Sequence, residues 1–194
     1  MLYEASGVFS TLYRNLGYHV VQVDQQLDGT DVRLLPKQYA DVVGILAFPP
    51  CTHLAGSGAR WWKQKGDAAL LEALSCVDAV FRLVQIYRPH FWLIENPVGR
   101  LTRFIGKPAH MFHPHEYAGY LENPSVEAYS KKTCLWGHFR MPEKKPVPPL
   151  HGSMMAKLRD PETGKFYSFT SRECKNWRSR TPLGFARAFV EVNS

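Results

Sequence analysis

The stretch Asp41 to Phe48, DVVGILAF, is an almost continuous apolar run that ends against Pro49-Pro50. An apolar run without polar alternation fits a strand covered on both faces, and strands of that kind belong to parallel sheets sandwiched between helices. The two prolines fix the chain where the strand stops, so the next residue, Cys51, is delivered at the strand's carboxyl end. The same alternation of elements recurs around it. Leu2 to Ala5 reads as a short strand, Ser6-Gly7 as a turn, and Phe9, Leu12, Tyr13 and Leu16 as one face of a helix ended by Gly17. His19 to Val23 is a second strand closing at Asp24. Leu70, Leu71, Leu74, Val77, Phe81 and Val84 predict a helix from an Asp67 cap to the Pro89 stop, and Phe91 to Ile94 predicts a strand running into Glu95-Asn96-Pro97.

Strand and helix in alternation imply an α/β fold with a Rossmann-like, doubly wound sheet, which binds ligands outside the carboxyl ends of its strands. Those ends carry Ser6-Gly7, Asp24, Pro49-Pro50-Cys51 and Glu95-Asn96. Beyond Gly99 the pattern weakens. Thr133 to Trp136 reads as another short strand, Met141 to Leu150 as a Pro-rich connector, and Asp160 to Lys165 as the turn of a basic hairpin between extended segments. Thr181-Pro182 opens a last helix, with Thr181 as cap and Pro182 at the first helical position.

A chain of 194 residues buries one good core and is too short for two ordinary domains. It divides into a core, 1–137, and a tail, 138–194, made of linker, basic extended segment and final helix. The formal charge is +7, and Lys157 to Arg187 holds eight basic residues against three acidic. That excess suits a polyanionic partner. The four cysteines are far apart, without the paired spacing of a zinc site or a disulfide framework, and suit a reduced compartment. No leader or membrane span is apparent, which points to the cytoplasm and away from a membrane partner. His110, His113 and His115 in AHMFHPHEY lack a further ligand at metal spacing and read as surface histidines; no metal is expected. Cys51 and His53 lie too close in sequence for a hydrolase dyad and have no oxyanion-hole motif beside them.

The residues suited to chemistry are the thiol of Cys51, with Arg60, Lys131 and Lys132 as candidate sources of a positive field, and the carboxyl group of Glu95, about forty residues later on an adjacent parallel strand. Glu4, Ser6, Gly7 and Asp24 fit a nucleoside site, where a glycine turn admits a ligand to the backbone and an acid accepts from ribose. FPPCTHLAGSGARWW followed by LIENP resembles the PPC and ENV signatures of cytosine-5 DNA methyltransferases. YEASGVFSTLYRNLGYHVVQVD is similar to that family's cofactor segment, Asp31 in GTDVR resembles its next acidic contact, and SKKTCLWG looks like a reduced QxRxR strand with Lys131 or Lys132 for arginine. The likeness spans most of residues 1–137, and the ending RSRTPLGFARAF is similar to small, phage-type members without a target-recognition domain.

The resemblance implies a methyltransferase of the S-adenosylmethionine-dependent type, acting on carbon 5 of cytosine in duplex or single-stranded DNA. Cys51 would add to carbon 6, Glu95 would hold ring nitrogen 3 and the exocyclic amine, and Asn96 and Pro50 would position the base. Glu4, Ser6, Gly7, Asp24, Asp31 and Pro49 would hold the cofactor, and Arg60, Lys131, Lys132, Arg178 and Arg180 the nucleic acid. A phage-encoded member would act in the cytoplasm of its bacterial host. Two alternatives stand beside this reading: a catalytically inactive module that binds nucleic acid or regulates, and an enzyme that methylates a free cytosine nucleotide.

Overall fold

The computed structural model describes residues 1–150 and 171–194. Its elements are helix α1 (Val8–Asn15), strand β1 (Gly44–Ala47), helix α2 (Trp62–Tyr87), strands β2 (Phe91–Pro97), β3 (His110–Phe112) and β4 (Thr133–His138), and helices α3 (Arg172–Ser179) and α4 (Leu183–Val192). The four strands form one mixed sheet in the order β1-β2-β4-β3. β1 and β2 are parallel, with Ala47 opposite Ile94, while β4 runs antiparallel to both its neighbours, β2 and β3.

The sheet is α/β and compatible with a Rossmann-like arrangement, with helices on both faces. Strand residues alternate between the two layers, as pleating requires. Leu46, Leu93 and Leu135 face a layer built from Phe9 and Tyr13 of α1 and Phe185 and Phe189 of α4. Ile45, Ala47, Ile94, Cys134 and Trp136 face Ala73, Val77, Val80 and Leu83 of α2. Phe9 stands edge-on to Phe189 at 5.5 Å, and Phe112 stacks on Phe185 at 4.1 Å, so aromatic contacts fasten the last helix to the first.

Several expectations need correction. The two amino-terminal strands shrink to single bridges, Leu2 pairing in parallel with both Val23 and Ala47. The bonds Leu2 N to Leu46 O (2.8 Å) and Tyr3 N to Val23 O (2.9 Å) still place both segments beside β1. Helix α2 begins at Trp62 rather than Asp67, but Gly66 (φ 67°, ψ −172°) breaks it just ahead of Asp67. Of the expected basic hairpin, the turn at 160–165 lies outside the described residues, and Arg172–Ser179 is helical rather than extended. Helix α4 starts at Leu183, with Pro182 rather than Thr181 at its cap position. The cap comes from afar instead: buried Glu127 accepts from the Leu183 and Gly184 amides, satisfying donors that a helix start leaves open. Among the described residues no helix is long and apolar enough to cross a membrane.

Candidate active site

Parallel pairing of β1 and β2 brings their carboxyl ends to one edge, where the chain leaves β1 through Phe48-Pro49-Pro50 and Glu95 follows Ile94. Asn96, 1% exposed, donates from Nδ2 to the Pro49 carbonyl at 2.8 Å. That bond ties the proline turn to β2 and so fixes where Cys51 emerges. The Cys51 carbonyl accepts from the Leu54 and Ala55 amides, both at 2.9 Å, which turns the chain back at once. The following loop is then stapled to the segment after β2. Ala55 bridges Gly99, Gly56 N donates to Val98 O (2.8 Å), Arg100 N donates to Leu54 O (2.9 Å), and Arg100 Nε donates to His53 O (2.7 Å). The staple needs a glycine at position 99, because a Cβ there would fall on the Leu54 carbonyl.

Cys51 is a free, half-buried thiol. Burial pushes its pKa up, and the Glu95 carboxylate pushes it further, while Lys131 and Arg178 pull it down. Burial likewise pushes the Glu95 carboxyl above its usual range, with Lys131 opposing. The Glu95 carboxylate and two cations therefore act on the Cys51 thiol at a single edge of the sheet. Lys131 Nζ also donates to the Arg178 carbonyl at 2.9 Å, a cation at the carboxyl end of α3 that joins this helix to the start of β4. The charges acting on Cys51 differ from expectation. Arg60 is exposed over the Trp61 ring, 5.0 Å from its centroid, and exposed Lys132 acts on Cys134 and His113. Arg178 takes their place, and Arg180 lies exposed beyond it, where its charge reaches Tyr129.

The residues expected to hold a cofactor divide into two groups. Gly7 adopts the left-handed conformation (φ 70°) and Asp24 ends the Val23 segment, its Oδ1 accepting from Gln26 N at 2.8 Å and its second oxygen without a hydrogen-bond donor among the described residues. A glycine turn and an acid at adjacent strand ends fit a nucleoside. Glu4 and Asp31 are otherwise engaged. Glu4 accepts from Ser6 Oγ, Phe9 N and Ser10 Oγ, and so holds the start of α1. Both Asp31 oxygens accept from Arg33, which keeps that carboxyl below its usual range. Pro49, Pro50 and Ser6 lie at the expected edge, Pro49 with its carbonyl already taken by Asn96.

The sequence reading missed Arg100, whose guanidinium lies 4.9 Å from the Trp62 ring centroid and whose buried Nη2, like Trp62 Nε1, has no hydrogen-bond partner among the described residues. Only the order of residues after ENP could have drawn attention to it. His113 and His115 have ring centroids 5.6 Å apart, and among the described residues no three potential ligands are grouped for a metal. No protein-family model matches the chain, and no curated protein matches it either.

Proposed function

We propose that the chain is a methyltransferase that moves a methyl group from S-adenosylmethionine to carbon 5 of cytosine in DNA, with Cys51 as nucleophile and Glu95 as its partner on the base. The observation that carries this reading is that parallel pairing brings Cys51 and Glu95 to the carboxyl ends of two adjacent strands, where the Glu95 carboxylate acts on the Cys51 thiol and Lys131 acts on both. The sheet, mixed and covered on both faces, is of a kind compatible with the methyltransferase type.

The geometry suggests how the chemistry is gated. Burial favours the protonated form of Glu95, which can then donate to ring nitrogen 3 of cytosine. A neutral Glu95 no longer opposes ionisation of Cys51, and Lys131 and Arg178 then offset part of the burial that disfavours the thiolate. The sulfur adds to carbon 6, the ring electrons collect at carbon 5, and Glu95 limits the negative charge on the ring. Asn96 is a positioning residue, holding the proline turn that aims Cys51. S-adenosylmethionine, for which the Gly7 turn and Asp24 are the fitting contacts, would supply the electrophilic methyl group and leave as S-adenosylhomocysteine. Water would then take the carbon 5 proton, and expulsion of the thiolate restores the ring. In duplex DNA the base has to be flipped out first, at a cost of a few kcal/mol.

One observation favours a second reading. Both Asp31 oxygens are held by Arg33 and Glu4 is committed to α1, which removes two expected cofactor contacts and suits a binding module without catalysis. Methyl transfer from labelled S-adenosylmethionine to duplex DNA, single-stranded DNA and dCMP, with Cys51→Ala as control, separates the readings. Label in an acceptor that disappears with Cys51→Ala supports the covalent mechanism and names the acceptor. No label in any of the three, with no cofactor binding by calorimetry, overturns the proposal.

A further inference from the structure

The amino ends of the parallel strands, opposite the edge that carries Cys51 and Glu95, hold a cleft with no part in methyl transfer. It consists of two hollows of about 480 and 540 Å³ with common walls at Tyr39, Asp41, Val42, Val43 and Tyr87. The first is an apolar chamber lined mainly by aliphatic side chains, to which the rings of Tyr13, Tyr18, Tyr39, Tyr87 and Phe91 contribute. The second opens onto Lys37, Arg88 and His90, all exposed. Volumes of this order suit a small organic ligand rather than an ion or a few waters.

The walls are set in advance. Tyr39 OH accepts from Gln38 Nε2 at 2.9 Å, and Tyr87 OH accepts from Gln38 N at 3.1 Å and donates to Pro36 O at 3.3 Å. The two rings lie 6.3 Å apart, tilted by 37°, which leaves no room for a ring between them but presents their outer surfaces to the hollow. Arg88 closes α2 in the left-handed conformation (φ 48°, ψ 54°), a position where glycine is the least strained residue. Asp41, on the shared wall, has φ 50°. A long cationic side chain thus stands at a strained backbone position at the mouth of an apolar chamber. Among the described residues neither Lys37 nor Arg88 has an ion-pair partner.

Aromatic walls take a flat ring, two unpaired cations take an anion, and a carboxylate between them accepts hydrogen bonds from hydroxyl groups. We propose that this cleft binds a free nucleoside monophosphate. Its base lies against Tyr39 and Tyr87, Asp41 accepts from the sugar hydroxyls, and Lys37 and Arg88 hold the phosphate. The site is independent of the reaction assigned to the opposite edge.

Calorimetric titration of the full chain with AMP, adenosine and inorganic phosphate tests this. AMP is expected to bind at least about tenfold more tightly than either of its parts, since only AMP meets both halves of the cleft. Arg88→Gly keeps the left-handed backbone, so the helix end survives while the charge is lost. It and Lys37→Ala are each expected to weaken AMP about tenfold and leave adenosine unchanged, whereas Tyr39→Ala weakens both ligands. Asp24→Ala, at the opposite edge, is expected to leave AMP binding intact. The proposal is overturned if AMP does not bind at millimolar concentration, if Arg88→Gly and Lys37→Ala leave its affinity unchanged, or if Asp24→Ala abolishes it. A short oligonucleotide that outcompetes AMP and depends on Arg88 would also overturn it, by making a polynucleotide the ligand.

Discussion

Replacing Gly99 by alanine should damage the candidate site without touching any of its reactive groups. An added Cβ would fall on the Leu54 carbonyl oxygen, 2.8 Å from the carbonyl carbon and 2.9 Å from Ala55 Cα. All three are backbone atoms, so no side-chain rotation relieves the overlap and the two segments have to part. Parting them breaks Gly56 N to Val98 O, Arg100 N to Leu54 O and Arg100 Nε to His53 O. At about 0.5–1.5 kcal/mol net for each bond, the loss is about 2–4 kcal/mol. The same displacement loosens the turn that begins on the Cys51 carbonyl. Since burial is the largest influence holding the Cys51 thiol up, its pKa should fall and its alkylation accelerate. Urea denaturation measures the first effect and the rate of labelling by iodoacetamide the second, with the buried Cys76, Cys134 and Cys174 reporting global unfolding. Gly58→Ala is the control, because the nearest atom to a Cβ there is Thr52 O at 4.0 Å. A Gly99→Ala protein within about 0.5 kcal/mol of the parent, labelled at the parent's rate, would refute the coupling between staple and thiol.

Three further outcomes follow from the same structure. Burial raises the Glu95 pKa above the ordinary 4.5, so the folded chain binds that proton more tightly than the unfolded one and stability falls as pH rises through the raised value. Glu95→Gln should therefore be more stable than the parent at about pH 8 and equal to it near pH 4 in urea titrations; a less stable variant at the higher pH would mean that Lys131 outweighs burial. Glu127→Ala removes the acceptor for the Leu183 and Gly184 amides and should cost about 1–3 kcal/mol, with amide exchange at the start of α4 accelerating first. Phe189→Ala, at a fully buried ring touching Phe9, Phe91, Phe139 and Phe185, should cost about 3–5 kcal/mol by denaturation; a loss below about 1 kcal/mol would contradict the packing of α4 on α1.

What could be read from the chain alone was whatever rests on local periodicity. The apolar run before Pro49 yields β1, although the strand covers only Gly44–Ala47 because Asp41 takes a left-handed turn ahead of it. The 3.6-residue spacing yields α1, α2 and α4 to within a few residues. The proline turn and ENP mark the edge where the Glu95 carboxylate acts on the Cys51 thiol. Whatever depends on partners distant in sequence was out of reach. Leu2 to Ala5 has a strand's composition, yet regular pairing there fails because Leu2 alone bridges both neighbours. Thr181-Pro182 has the composition of a cap, yet Glu127 does the capping from 56 residues away.

Charge is the harder quantity to read, because a side chain's role is decided by what reaches it first. Arg33 takes both oxygens of Asp31, and the amide and hydroxyl donors at the start of α1 take Glu4, so two acids with the right position in sequence are already committed locally. Among the described residues Asp24 has a single backbone amide, that of Gln26, as its side-chain partner. Arg60 follows Cys51 by nine residues, but the loop carries it outward onto Trp61. Arg178 is separated from Cys51 by most of the chain and acts on it directly. The cations that matter at the thiol are therefore set by the docking of α3 against β4, through the Lys131 bond to the Arg178 carbonyl. The seating of this helix therefore contributes to the ionisation of Cys51, against the larger and opposite effects of burial and of Glu95.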